Sequence, residues 1–86
     1  MKSISKKTHL YVTCRPGVQG GEPVLRGTRI PVRSVVQYVI LQGIPPESVA
    51  KEFRLTLAAV YDALSFYYDN LAAMNRLIQS QTEKAA

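Results

Sequence analysis

The residues with chemistry to offer are few. Six carboxylates (Glu22, Glu47, Glu52, Asp62, Asp69 and Glu83), one histidine, His9, and one cysteine, Cys14, are spread over 86 residues. A metal-dependent nuclease needs several converging carboxylates, and these are scattered. Asp62 and Asp69 share one face of a predicted helix, but seven residues of helical rise set them about 10 Å apart, too far to share one ion. A single cysteine makes no internal disulfide and no zinc cluster, and with His9 it supplies at most two ligands. Without a second histidine or a basic partner for Cys14, nucleophilic catalysis has no evident base. The pattern argues against an enzyme, and no cofactor or metal is expected.

The cations are more suggestive. Net charge is +5. Up to Arg33 there are seven basic residues against Glu22 alone, a balance of +6, whereas the remainder of the chain carries −1. A basic segment beside a neutral one suggests attraction to a polyanion, nucleic acid first. The candidate contacts are Arg26, Arg29 and Arg33 in the basic segment, with Lys51, Arg54, Thr56 and Tyr61 further on. Arg29 has an equally good structural role, anchoring a turn through backbone carbonyls. A predicted helix from Leu57 onward has no Lys or Arg before Arg76, although phosphate contacts and guanine readout favour such residues.

The elements that must position these residues follow from local signals. Residues 9–14, HLYVTC, have the aromatic and β-branched content of a strand. Residues 15–21 form a Pro- and Gly-rich loop, and residues 23–32, PVLRGTRIPV, a second extended segment broken at Gly27, where a bulge or positive φ is expected. Residues 33–42 have β-branched content, but Val32, Val35, Val36, Val39 and Ile40 keep helical spacing and Gly43 stands at a helix-ending position. A short helix then begins at Pro46, with Glu47 in its first turn. A second helix begins after Thr56, a natural N-cap. Two helices joined by three or four residues make a helix-turn-helix arrangement, or an ordinary helical hairpin.

Along the second helix, Leu57, Val60, Leu64, Tyr67, Leu71, Met74 and Ile78 alternate steps of three and four, the seam of a coiled coil. A continuous helix to about residue 81 would be roughly 37 Å long, longer than so small a domain is wide. Its far end is therefore expected to project and to bury Tyr67, Leu71, Met74 and Ile78 against a second copy or a partner. The fold class is mainly α with a short N-terminal β-hairpin, a helix-turn-helix and a long C-terminal helix, as a homodimer. The organisation is one domain: residues 1–8 a flexible basic tail, 9–32 the β segment, 33–70 the helix-turn-helix core and 71–86 the projecting end. With 47% hydrophobic residues the chain is globular. No apolar run is long enough to span a membrane and no signal peptide is evident, so a cytoplasmic location is expected.

In residues 20–32, GGEPVLRGTRIPV, the chain resembles the family catalogued as domain of unknown function number 433. Gly21, Pro23, Leu25, Gly27, Thr28, Arg29, Ile30 and Val32 fill its hallmark segment, and a second set from Gly43 to Tyr68 matches its helical ending. The similarity covers roughly residues 10–78. It implies a small antitoxin of the VapB type, which masks a toxin resembling a PIN-domain ribonuclease and represses its own operon as a dimer. Members often carry acidic residues after the tyrosine pair; here residues 71–76 are apolar and basic. Two functions follow as expectations: an antitoxin that binds operator DNA and a toxin, or a protein-binding dimerisation module that leaves DNA alone.

Overall fold

The computed structural model describes residues 9–85, with side chains through residue 80. The expected basic tail, residues 1–8, lies outside the described residues. Strand β1 (Val12–Thr13) pairs antiparallel with β2 (Val24–Leu25), in the register Val12 to Leu25 and Thr13 to Val24. Both are shorter than the sequence suggests, because the chain turns immediately before β1, where the Val12 N–H donates to the His9 carbonyl, 3.0 Å. After β2 the chain doubles back. The Leu25 N–H donates to the Ile30 carbonyl (2.8 Å) and the Val32 N–H to the Pro23 carbonyl (3.0 Å).

Helix α1 (Val32–Val36) runs straight into a π-helical turn, Gln37–Leu41. Here the Gln42 N–H reaches back five residues to the Gln37 carbonyl, 3.0 Å. The wider turn shifts the side-chain register. Val32, Val35 and Val36 are buried as the spacing predicts, but Ile40 is turned outward and Tyr38 and Leu41 with it. Gly43, at φ +74°, ends the helix as expected.

Helix α2 (Pro46–Phe53) and helix α3 (Leu57–Asp69) are joined by three residues. The join is a Schellman motif: the Leu55 N–H donates to the Ala50 carbonyl (2.8 Å) and the Arg54 N–H to the Lys51 carbonyl (3.3 Å). Thr56 caps α3 by accepting from the Ala59 N–H at 3.0 Å. Arg54 itself sits at φ +59°, a left-handed conformation that disfavours side chains. Arg54→Gly is expected to raise unfolding stability by about 0.5–1 kcal/mol, the relieved strain less the extra freedom of an unfolded glycine. Urea titration reads the difference.

The long continuous helix is not formed. The chain breaks at Asn70 (φ −134°, ψ 42°), whose side-chain amide donates to the Phe66 carbonyl at 2.9 Å. Helix α4 (Leu71–Ala85) then folds back onto α1 and α3. Met74 and Ile78, 2% and 9% exposed, join the core beside Val32, Val35, Val36, Val60, Ala63 and Leu64. Tyr67 is buried too, its hydroxyl donating to Asn75 Oδ1 at 2.9 Å. Three of the four residues expected at a partner interface are therefore core. Of that set only Leu71 stays exposed.

Candidate partner-binding surfaces

The basic segment is built around Gly27. At φ +81° it occupies the left-handed position of a turn closed by the Thr28 N–H on the Leu25 carbonyl, 3.0 Å. Thr28 locks that turn a second time: its hydroxyl donates to the Leu25 carbonyl (2.8 Å) and accepts from the Ile30 N–H (2.9 Å). The carbonyl-anchoring role considered for Arg29 belongs to its neighbour. Arg26 donates through Nε to the Leu10 carbonyl (2.8 Å) and through Nη2 to the Val12 carbonyl (3.2 Å), stitching the turn to β1. Arg33 is also engaged, in a two-pronged pair with Glu22: Nε to Oε1 at 3.1 Å and Nη2 to Oε2 at 3.0 Å.

Of the seven residues expected to touch nucleic acid, then, Arg26, Arg33 and Thr56 have structural duties. The side chains of Arg29, Lys51 and Arg54 are exposed and make no hydrogen bond or ion pair with another described residue. Lys51 and Arg54 flank the α2–α3 corner; Arg29 sits on the hairpin turn. Tyr61, half exposed, lies on the outward face of α3.

That outward face carries Leu57, Ala58, Tyr61, Ser65 and Tyr68, all exposed. Its acidic edge is clamped. His9, its side chain 10% exposed, points Nδ1 at Asp62 Oδ1 (3.1 Å) and Nε2 at Asp69 Oδ2 (2.8 Å). Carboxylates only accept, so both bonds form when both ring nitrogens carry protons. The same Asp62 accepts from the Tyr11 N–H at 2.9 Å, and the His9 ring meets Phe66 edge-on at 5.3 Å. The two carboxylates that are too far apart to share an ion are bridged by a side chain instead, and the bridge holds the N-terminal strand on α3.

A second surface was not visible in the sequence. The π-helical turn brings the Tyr38 ring over α2, 5.5 Å from Phe53. With Ile44, Ser48, Val49 and Glu52 these rings line a groove of about 290 Å³. Leu41, 62% exposed, stands on the same turn as Tyr38. The groove is apolar along its floor, and Ser48 and Glu52 bring a hydroxyl and a carboxylate to it. Nothing in a single sequence marks a π turn, so the only available signal was the excess of β-branched and aromatic residues in 33–42.

The fold and these surfaces define a small, mainly helical protein with a two-stranded N-terminal hairpin; no group of three or more His, Cys, Asp or Glu among the described residues is placed to hold a metal ion. By sequence the chain belongs to the family described as protein of unknown function (DUF433), whose pattern it matches over residues 12–67. It is also similar to a DUF433 member protein from Anabaena variabilis ATCC 29413, known from a crystal structure. The two share 33% identity and superpose with a TM-score of 0.74, over 80% of this chain and 68% of the other. No curated protein matches the sequence. No helix of the described residues is long and apolar enough to cross a membrane.

Proposed function

We propose that the chain is an antitoxin-like protein that acts by binding another protein, receiving apolar side chains of its partner in the groove between the π-helical turn and α2. The observation that carries this reading is the groove itself, walled by Tyr38 and Phe53, with Ile44 and Val49 adding apolar surface. Wide apolar surface left in water marks contact sites, and aromatic anchors in a pocket supply much of the energy of protein contacts. Glu52, which makes no ion pair among the described residues, favours a basic residue beside the partner's apolar anchor. The family resemblance points to a PIN-like ribonuclease as the partner's class. The test is co-expression with the protein encoded by the adjacent reading frame. The parent chain is expected to co-purify with it and Tyr38→Glu, at an exposed lining residue, to lose it, while both stay folded; equal capture by both would refute the groove assignment.

A second reading, operator binding in the manner of a helix-turn-helix repressor, is supported by the three unengaged cations. On this reading α2 and α3 meet DNA at the corner carrying Lys51 and Arg54, with Arg29 on a phosphate. Replacing all three with alanine should flatten the slope of log K against log salt by about 0.9 per lost contact. Arg26 and Arg33 are unsuitable for that test, because their loss would disturb the hairpin.

A further inference from the structure

Most of the 3–4 repeat read along α3 (Val60, Leu64 and Tyr67) faces the core, yet a second one runs beside it on the exposed side. Ala58, Tyr61, Ser65 and Tyr68 are spaced by three, four and three residues, the a/d spacing of a helix–helix seam. Large and small residues alternate along it. Tyr61 and Tyr68 are 50% and 57% exposed, and between and before them stand Ser65 and Ala58.

From this alternation we infer that α3 pairs antiparallel with α3 of a second copy of the chain, about a two-fold axis that crosses the exposed face midway between Tyr61 and Ser65. In that register Tyr61 of each copy faces Ser65 of the other, and Ala58 faces Tyr68. Every bulky side chain then meets a small one. The arrangement is isologous, each copy supplying the same patch. A hollow to receive the knob is already present beside Ala58. It measures about 340 Å³ and is lined by Leu10, Tyr11, Ala58, Tyr61, Asp62 and Ser65. Tyr68 of the second copy fills it, and the two-fold repeats the insertion.

Charge and area agree with this occupant. α3 carries no cation, and its two carboxylates are bonded back to His9 within the same chain. The exposed parts of Leu10, Tyr11, Leu57, Tyr61 and Tyr68 amount to on the order of 600 Å² per copy, which doubled reaches the ~1,200 Å² where specific interfaces begin. The surface is separate from the groove of the proposed function, so one chain can pair with itself and hold another protein together.

The experiment is sedimentation velocity on the full chain across the micromolar range, with three variants on this exposed face. The parent should dimerise reversibly. Ser65→Tyr puts two tyrosines face to face and is expected to weaken the dimer more than tenfold, as is Tyr61→Ser. The double variant Tyr61→Ser with Ser65→Tyr restores a large residue opposite a small one and should recover most of the affinity. Circular dichroism confirms that each variant is folded. A parent that stays monomeric throughout the range overturns the proposal. So does a dimer indifferent to Ser65→Tyr, or a swap that fails to rescue.

Discussion

Alanine at Met74 is expected to lower the unfolding free energy by about 2–4 kcal/mol, the usual cost of truncating a buried methionine. For a domain of this size that corresponds to a fall in Tm of roughly 10–20 °C. The reason is the bend at Asn70. Had the helix continued, Met74 would lie on an outward-facing ridge, and its loss from the monomer would move stability by no more than about 0.5 kcal/mol. Instead Met74 is 2% exposed and sits in the same cluster as Val32, Val35 and Val36. Leu71→Ala, one turn earlier on the exposed side, is the control and should change little. Chemical denaturation of the three proteins separates the two geometries without reference to any partner.

The second large effect concerns Glu22. Its side chain is 8% exposed and holds Arg33, 18% exposed, through two hydrogen bonds. Glu22→Ala leaves the guanidinium under cover without an acceptor, and an expected cost of about 2–3 kcal/mol follows, somewhat below that of a fully buried pair because Arg33 retains some solvent. The pair matters for its removal penalty more than for its net strength. Replacing both members by apolar residues, Glu22→Leu with Arg33→Met, should therefore recover most of the loss. A double-mutant cycle in urea measures the coupling. The same experiment bears on nucleic-acid binding, since an arginine committed to this pair is a poor candidate for a phosphate contact.

Much of the fold was legible because single residues impose it. Gly27 and Gly43 take the positive φ that their positions in the sequence suggest, Thr56 caps α3, and Pro46 opens α2. Ala50 is small and buried, as the crossing of α2 and α3 requires. The break at Asn70 was not legible. The apolar repeat runs through it without a missed step, because a helix that bends back can still bring later members of the repeat, Met74 and Ile78, onto the core while Leu71 beside the bend stays exposed. No proline or glycine marks the place, only an asparagine that turns its amide onto the Phe66 carbonyl. The π-helical turn escaped for a related reason. It adds a residue to one turn without changing composition, and so exposes Ile40 where helical spacing buries it.

The site was read less well than the fold. Spacing identified the cations but could not say which were already occupied. Arg26, at the second position of the turn, reaches the carbonyls of Leu10 and Val12, whereas Arg29 does not. His9 and the Asp62 and Asp69 carboxylates are more than fifty residues apart in sequence. Only the packing of β1 on α3 brings them together. The groove at Tyr38 depends wholly on the π turn.

Hydrogen exchange on the chain, free and bound to the protein encoded beside it, tests most directly that function runs through the groove. Binding is expected to slow exchange across residues 37–53, the π-helical turn and α2. The hairpin turn at Arg29 should be nearly unchanged. Protection confined to that turn and to the corner at residues 54–57, with residues 37–53 exchanging as in the free chain, would contradict it.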